Sequence, residues 1–340
     1  MKLPRLLRRR SRKTMRRRTA PEMSDLLHRQ IAEMLHSAKH ILAVAHIRPD
    51  GDAVGSLLGL GLSLRAAGQK VDMLLADGVP APFRHLPGSE QVITRPCAEY
   101  DVVVVLDSSD LQRTGGVLGE RQPDLNIDHH ATNLRFARVN LVDPQAVATC
   151  AILAQNLPRW GFPVSGEVAS ALLTGILTDT IGFRTSNMSP EVLRLAADLM
   201  EAGANLPELY RAGLVQKSFE AARYWGFGLE RLQREDGLIW TTLLLADRQA
   251  AAYNGNDDAD LINFLSSTDG DVIVLFNEQR GGKVKVSWRA RPGLDISTLA
   301  LRFGGGGHPA AAGAEISGTI EEVRERVLSE TRAFLAAHRL

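Results

Sequence analysis

Cysteine is scarce in this chain of 340 residues. Only two cysteines occur, Cys97 and Cys150, and they lie 53 positions apart. Secreted domains that depend on disulfides carry cysteine at a much higher density. The scarcity therefore excludes a disulfide-stapled scaffold and predicts a protein of the reducing cytoplasm.

Long hydrophobic runs are also missing. Apolar runs such as 41–45 and 102–106 are strand-sized, whereas a membrane-spanning helix needs about 20 apolar residues. We therefore expect no membrane partner. A chain of 340 residues exceeds the usual size of one domain, which predicts two domains and an appendage.

Acidic residues are absent from the first 18 positions, which hold ten lysines and arginines. Because the whole chain carries +1, the other 322 residues carry −9. The polar stretch TAPEMSDLLHRQ follows, where an export signal needs an apolar core. We predict a basic, disordered arm over residues 1–22, either a leader or the product of an upstream start codon, with Met15 and Met23 as alternative starts. The other hypothesis is a tail that contacts nucleic acid or polyphosphate.

The first half of the chain alternates short apolar runs with amphipathic stretches. The predicted strands are 41–45, 71–75, 102–106 and 125–128, and the predicted helices are 24–36, 52–67, 148–160 and 166–177. Ser24 is a candidate N-cap, and Gly68 a candidate C-cap. The pattern predicts an α/β fold with a doubly wound, mainly parallel sheet over residues 23–188.

The pattern changes in the second half. We predict a helical connector over residues 189–222 and then a second, smaller α+β domain over residues 223–340. Its predicted strands are 238–245, 272–276 and 284–288, with a Gly281-Gly282 turn between the last two and a closing helix at 320–337.

Carboxylates and imidazoles follow the predicted strands at separate places. In chain order they are His46 with Asp50 and Asp52, then Asp107, then Asp128 with His129 and His130, and finally Asp179. Ligands bind where the carboxyl ends of strands meet in a doubly wound sheet, so the fold can bring these segments together. Two divalent cations need several such ligands. The sequence therefore predicts a two-metal centre for phosphoester hydrolysis.

Each segment alone has a simpler explanation. Asp50 and Asp52 flank Gly51, and such Asp-Gly turns commonly cap helices. Asp107 can equally lie at a solvated strand end. Two consecutive histidines after Asp128 are a rarer signal. They suit metal ligation or phosphate contact, since the neighbouring carboxylate can fix the tautomer of a histidine. The combination favours a metal site over these alternatives.

Four consecutive glycines form a second candidate site with His308; they are Gly304, Gly305, Gly306 and Gly307. Backbone N–H groups without side chains can close around a phosphate, and the chain can approach a base or ribose closely. The alternative is a flexible loop between helix and strand. Arg289 adds donors, and Arg184 is either a phosphate contact or a surface charge.

These motifs resemble those of the DHH phosphoesterase superfamily, in the same order. The matching segments are His46-x-x-Pro49-Asp50-Gly51-Asp52, Asp107, Asp128-His129-His130 and Thr178-Asp179-Thr180. Residues 304–313 (GGGGHPAAAG) resemble the glycine-rich signature of the DHH-associated C-terminal domain, and Ser287-Trp288-Arg289 resembles its Ser-x-Arg strand. From about Ser24 onward the chain is most similar to the nanoRNase and pAp phosphatase type, and the basic arm departs from that pattern.

The resemblance implies a role for each residue. One metal would be held by His46, Asp50 and Asp107, and the other by Asp52, Asp107, His129 and Asp179, with Asp107 shared. Manganese is the implied metal, and oxygen and nitrogen ligands are compatible with it. The implied catalytic residues are Asp107, His130 and Asp128, with Asp128 orienting His129 and His130 facing the substrate phosphate. The implied substrate contacts are His130, Arg184, Arg289, Gly304, Gly305, Gly306, Gly307 and His308, those of the second domain acting across an interdomain cleft.

The implied activity is manganese-dependent hydrolysis of short single-stranded oligoribonucleotides to mononucleotides, together with removal of the 3′-phosphate of pAp. The same parts would serve a phosphodiesterase for linear or cyclic dinucleotides such as pApA and cyclic di-AMP. Inorganic pyrophosphate fits less well, because the glycine segment suits a nucleotide-sized ligand. An RNA-binding protein with a vestigial site is the alternative from another class. The sequence leaves the oligomeric state open, a homodimer included.

Overall fold

A computed structural model describes residues 20–255 and 257–338. Most of the predicted basic arm, residues 1–19 with Met15, lies outside the described residues. The chain divides into two compact units, the first ending at Gln216 and the second beginning at Lys217. No helix in the described part of the chain is both long enough and apolar enough to cross a membrane.

The first unit contains a six-stranded parallel sheet. Its strands are β1 (Ile41–Val44), β2 (Val71–Leu74), β3 (Val92–Ile93), β4 (Val102–Leu106), β5 (Leu125–Asp128) and β6 (Val139–Val142). They lie in the order β3-β2-β1-β4-β5-β6, and every pairing is parallel. The order reverses between β1 and β4, as in a doubly wound sheet. The predicted fold class is confirmed.

The described part of the first unit also contains six α-helices. They are α1 (Ala20–Ser37), α2 (Gly51–Ala66), α3 (Thr149–Asn156), α4 (Gly166–Asp179), α5 (Pro190–Glu201) and α6 (Leu206–Tyr210). All five residues of β4 are buried, as expected for a strand covered on both faces. The helix α1 begins before Ser24, so the prediction that Ser24 caps this helix is wrong.

Residues 189–216, which we predicted as part of a connector, fold with the first unit. On α5, Val192, Ala196 and Leu199 are buried in the first core, and Leu209 of α6 joins them. Their spacing places them on one face of the helix, so α5 has an apolar side to bury. A π-helical turn at Arg211–Val215 follows α6.

The second unit contains a mixed sheet flanked by helices. Its helices are α7 (Phe219–Glu230), α8 (Leu245–Ala251), α9 (Leu261–Leu265), α10 (Ser297–Arg302) and α11 (Ile320–His338). Its strands are β7 (Gln233–Glu235), β8 (Leu238–Leu243), β9 (Val272–Gln279), β10 (Lys283–Ala290), β11 (Gly306–His308) and β12 (Ala311–Ser317). The order is β11-β12-β10-β9-β8-β7, with β8 and β9 parallel and the other pairs antiparallel. This confirms the predicted smaller α+β domain.

Candidate metal centre

Side chains from separate segments converge at the carboxyl edge of the parallel sheet. Asp50 precedes α2, Asp107 follows β4, Asp128 ends β5 and Asp179 ends α4. Ligand atoms lie within 4.8 Å of one another in three overlapping groups, namely His46, Asp50 and Asp107; Asp52, His129 and Asp179; and Asp107, His129 and His130. All six predicted metal ligands and His130 therefore belong to one cluster.

His46 has the geometry of a metal ligand. Its Nδ1 lies 2.8 Å from the carbonyl oxygen of Ile47, to which the ring donates, and this leaves the lone pair of the neutral ring on Nε2. Within the described part of the chain, Nε2 is buried without a hydrogen-bond partner, 3.7 Å from Asp50 Oδ2 and 3.5 Å from Asp107 Oδ2. A nitrogen facing two carboxylate oxygens at these distances fits a cation between them.

The pKa of His46 reflects the same surroundings. Burial alone would lower this pKa, but the carboxylates of Asp107 and Asp50 outweigh burial and raise it to about 10. The position between these carboxylates therefore strongly favours a positive charge, whether it is a proton or a metal ion.

Asp50 fits both explanations that the sequence allowed, a helix cap and a metal ligand. Its Oδ1 accepts the backbone N–H groups of Asp52 (3.1 Å) and Ala53 (3.0 Å) and so caps α2. Its Oδ2 faces His46. Capping fixes the carboxylate in one orientation and leaves the second oxygen directed at the cluster.

A second group forms around His129. Its Nε2 lies 3.5 Å from Asp179 Oδ2, 3.7 Å from Asp107 Oδ1 and 3.9 Å from Asp52 Oδ2. Burial and the nearby charge of Asp107 raise the pKa of Asp52 and of Asp179 well above the ordinary value. The carboxylates repel one another in a buried place, so added divalent cations would relieve that repulsion.

Asp52 is held by the start of α3. Its carboxylate accepts the backbone N–H groups of Thr149 (2.6 Å) and Cys150 (2.9 Å). N–H groups at a helix N-terminus stabilise an anion. The helix therefore keeps Asp52 oriented in the buried cluster.

Asp107 lies between the two groups. Its Oδ2 faces His46 and its Oδ1 faces His129, while the hydroxyl of Thr149 donates to Oδ1 over 3.0 Å. Burial alone would raise the pKa of Asp107, but His46 holds it well below its usual range. The backbone φ of Asp107 is +52°, a left-handed conformation that costs energy in a residue with a side chain. This strained position directs one ionised carboxylate at both groups.

Asp128 contacts a different histidine from the one we expected. Its Oδ1 lies 2.7 Å from Nδ1 of His130, whereas Nδ1 of His129 faces the carbonyl of Ala146 at 3.3 Å. The expectation that Asp128 orients His129 is therefore corrected, because the side chain of Asp128 reaches the second histidine. Burial lowers the pKa of His130, but the bond to Asp128 and the charge of Asp107 raise it above its ordinary value.

Glycines allow the helices beneath the cluster to approach closely. A Cβ at Gly51 would lie 2.2 Å from Thr178 Oγ1, and one at Gly175 would lie 2.2 Å from Cys150 Sγ and 2.8 Å from Asp52 Oδ1. Gly51 begins α2 and is required by packing against α4.

Arg289 of the second unit is held in place by its own domain. Its Nη2 donates to Asn263 Oδ1 (2.7 Å) and its Nη1 to the carbonyl of Trp288 (3.0 Å). Burial lowers the pKa of Arg289, and the carboxylates of Asp258 and Asp260 partly offset this effect. Within the described residues its Nε is buried without a partner.

The glycine segment is partly a strand. Gly306 and His308 belong to β11, which pairs with β12, so the loop alternative does not describe this part. A Cβ at Gly305 would lie 2.1 Å from the carbonyl oxygen of Gly313, and one at Gly307 would lie 2.5 Å from that of Ala311. Strand packing therefore explains two of the four glycines. A Cβ at Gly304 or Gly306 would have no described atom within 4 Å, so a side chain there would meet open space.

Arg184 lies on the turn after α4. Its Nε donates to the carbonyl of Ile181 over 3.0 Å, and its side chain is exposed. Its role as a phosphate contact stays a prediction.

Two further side chains support the cluster, and no sequence signal singled them out. Thr149 donates to Asp107, and Asn133 Nδ2 lies 2.6 Å from Asp128 Oδ2. Thr149 resembles any residue at the start of a predicted helix. Asn133 lies three residues after His130, and only its amide, so close to an acidic motif, could have indicated a role.

Two family models match the chain. The "DHH family, N-terminal domain" matches residues 40–176, and the "DHHA1 domain" matches residues 249–337. A protein of Thermus thermophilus named "Bifunctional oligoribonuclease and PAP phosphatase NrnA" is 37% identical over 310 residues, which cover 89% of this chain and 93% of the relative. This chain belongs to the DHH family. The resemblance seen in the sequence motifs is confirmed.

Solved structures share the fold of this DHH-family chain. An exopolyphosphatase-related protein from Bacteroides fragilis has a TM-score of 0.83 at 24% identity, covering 92% of this chain and 96% of that one. RecJ from Thermus thermophilus, solved in complex with Mn²⁺, has a TM-score of 0.52 at 17% identity, covering 92% of this chain and 55% of that one.

Proposed function

We propose that this DHH-family protein is a metal-dependent phosphoesterase. Its substrates would be short single-stranded oligoribonucleotides, cleaved to mononucleotides, and pAp, from which it would remove the 3′-phosphate. The observation that carries the proposal is the pair of carboxylate and imidazole groups that share Asp107. The name of the Thermus relative, 37% identical, supports the choice of substrates.

The carboxylate and imidazole groups of the cluster support a proposal of two divalent cations. His46, Asp50 and Asp107 would hold one ion, and Asp52, Asp107, His129 and Asp179 the other. Oxygen and imidazole donors suit Mn²⁺, and the Mn²⁺ complex of RecJ supports manganese. Divalent cations held by these residues would supply a water of lowered pKa and would neutralise charge on phosphoryl oxygens.

The residues around the cluster would orient the substrate. His130 has a raised pKa, so its imidazolium can donate to a phosphate oxygen as negative charge develops there. Asp128 accepts from Nδ1 of His130 and so fixes the ring. Asp107, Asp128 and His130 would form the catalytic set.

The second unit would bind the distal part of the substrate. Arg289 has a fixed guanidinium, and His308 follows the open glycines Gly304 and Gly306. Guanidinium and backbone N–H groups are suited to phosphate oxygens. Arg184 would be an additional contact. The basic arm, a homodimer and a cytoplasmic location stay predictions from the sequence.

The deciding experiment is turnover of pAp and of a 5′-labelled RNA trimer with Mn²⁺, beside a chelated control. We expect metal-dependent release of AMP from pAp and of mononucleotides from the trimer. The two rates give the order of preference. Equal rates with and without chelator would contradict a metal-dependent phosphoesterase.

Two further substrates separate the proposal from its close alternative. pApA and cyclic di-AMP are assayed beside pAp and the trimer at equal concentration. Turnover restricted to pApA and cyclic di-AMP would replace the proposal by a dinucleotide phosphodiesterase. Deletion of residues 1–18 tests the RNA-binding alternative by showing whether RNA affinity depends on this arm. Affinity that does depend on the arm should also fall steeply with salt.

A further inference from the structure

A chain of side-chain contacts leads from the core of the parallel sheet to His130. Asn126, on the buried strand β5, has its Oδ1 2.8 Å from Asn133 Nδ2. The same Nδ2 lies 2.6 Å from Asp128 Oδ2, and Asp128 Oδ1 lies 2.7 Å from His130 Nδ1. Each group in this chain therefore has its orientation set by the one before it.

The amide of Asn133 is fixed in one orientation. Its Oδ1 accepts the backbone N–H of Arg135 over 2.7 Å, so its NH₂ group must face the other way. The NH₂ group faces Asp128, Asn126 and the carbonyl of Ser108 (3.1 Å). A carboxylate at this position would place an oxygen against the carboxylate of Asp128. The site therefore requires an amide rather than any polar side chain.

The same amide joins two loops. Ser108 directly follows Asp107 at the end of β4, and its carbonyl accepts from both Asn133 and Asn126, the latter over 3.4 Å. Asp128 is the last residue of β5, and His130 lies in the loop that follows it. Asn133 thus connects the loop that carries the shared carboxylate to the loop that carries the substrate-facing histidine.

We propose that Asn133 is the positioning residue for His130. It holds Asp128, whose carboxylate accepts from Nδ1 of His130 and so orients the ring with Nε2 toward the substrate phosphate. The inference rests on the proposed function in taking the phosphate as what His130 meets. Asp128, the carboxylate that Asn133 contacts, belongs to none of the metal-ligand groups, so removal of Asn133 should impair phosphate stabilisation and leave metal binding intact.

Asn133→Ala and Asn133→Asp test the proposal, with Asn140→Ala as the matched control. Asn140 is also half-buried in the first unit, and among the described residues its side chain exchanges hydrogen bonds with Ala137 alone (2.7 and 3.2 Å). Loss of an outer partner of this kind lowers activity by roughly 10- to 100-fold. We expect that loss in kcat for both Asn133 variants, with the KM for pAp and the Mn²⁺ affinity within about twofold of the parent. Asn140→Ala should keep kcat.

A spectroscopic measurement reports on His130 whether or not the protein turns over pAp. Long-range ¹H–¹⁵N spectra of imidazole-labelled protein report how strongly the Nδ1–H of His130 is hydrogen-bonded, and a His130→Gln variant assigns the signals. We expect a strongly hydrogen-bonded Nδ1–H in the parent and a clearly weaker bond in Asn133→Ala. An unchanged His130 spectrum in folded Asn133→Ala would overturn the proposal. Failure of the proposed function would appear instead as absent turnover with the expected spectra.

A double-mutant cycle with Asp128→Asn covers the case in which Asn133→Ala is poorly folded. If Asn133 acts through Asp128, the effects of Asn133→Asp and Asp128→Asn on kcat are strongly non-additive. Additive effects would show that Asn133 acts by another route and would refute the positioning role. Thermal unfolding of each variant establishes which of them are folded.

Discussion

The two units of this protein accommodate charge in different ways. In the first unit, every ion pair that Asp50, Asp52, Asp107 and Asp179 form among the described residues is with a histidine. In the second unit the chain supplies permanent cations to its carboxylates. Examples are Arg231 with Asp247, Lys217 with Asp260 and Arg291 with Asp271.

This difference bears on the proposal that the first unit needs added cations. Buried carboxylates that repel one another are costly unless cations accompany them. Asp247, Asp260 and Asp271 of the second unit already have their cations within the chain. The carboxylate cluster of the first unit, by contrast, has only histidines as ion-pair partners among the described residues, so under the proposed function ions from solution would complete it.

The largest expected effect tests this contrast within the first unit. Asp107→Asn keeps the shape and tolerates the left-handed backbone, but it removes the charge shared by the two groups. We expect turnover of pAp to fall to the level of the chelated enzyme. Calorimetric titration should show loss of high-affinity Mn²⁺ binding.

Asp124→Asn is the matched control. Asp124 is also buried, at the opposite edge of the same sheet, but it accepts the N–H of Val103 (2.9 Å) and pairs with Arg138 (3.1 Å). Its substitution should lower stability by about 1–3 kcal/mol and leave Mn²⁺ binding unchanged. Full activity in Asp107→Asn, or loss of metal binding in Asp124→Asn, would remove the contrast between the cluster and ordinary buried acids.

The second effect concerns the permanent cations of the second unit. Arg289→Met removes a guanidinium that we propose binds phosphate, and hydrogen bonds to charged groups contribute about 1.5–3 kcal/mol. We therefore expect the KM for pAp to rise by roughly 10- to 150-fold while Mn²⁺ affinity stays the same. Steady-state kinetics and metal titration measure the two quantities.

Arg291→Met serves as the comparison for Arg289→Met. Arg291 is exposed and pairs with Asp271 over 3.0 Å, so its loss should hardly change KM. Equal increases in KM for the two variants would mean that general charge, rather than the position of Arg289, attracts the substrate.

The units also differ in how far sequence could predict their sites. In a parallel sheet all strands end at one edge, so Asp50, Asp107 and His129 could be placed together from strand positions alone. The sequence could not predict that Asp128 pairs with His130 rather than with His129. The two histidines are neighbours in the chain, and only the directions of their side chains decide which one Asp128 reaches. Asn133 was missed for the same reason, since its contacts depend on the loop conformation.

The mixed sheet of the second unit has no common edge for its strands. Its strand β11 was missed because glycine and alanine have low strand propensity, and pairing with β12 determines the structure there. The contact of Arg289 with Asn263 joins residues far apart in the chain through a helix and a strand that no spacing rule links.

The third effect concerns how the first unit orients its shared carboxylate. Thr149→Val removes the hydroxyl that donates to Asp107 and keeps the size of the side chain. Loss of such an outer partner weakens metal affinity by roughly 10- to 100-fold. Calorimetry should show this loss in Thr149→Val, whereas Thr149→Ser keeps the hydroxyl and should bind Mn²⁺ nearly as the parent does. Equal affinities in the two variants would show that packing, not the hydroxyl, is what Thr149 contributes.

The smallest effect separates packing from ligand contact in the glycine segment of the second unit. A Cβ at Gly305 would collide with the carbonyl of Gly313, so Gly305→Ala should destabilise the protein by about 1–3 kcal/mol. Gly306 has open space around it, so Gly306→Ala should change stability by no more than about 0.5 kcal/mol. If backbone N–H groups at Gly306 approach the substrate, the added methyl group raises the KM for pAp in a protein of normal stability. Denaturant unfolding and steady-state kinetics on both variants distinguish the cases, and an unchanged KM in Gly306→Ala would leave the segment with a purely structural role.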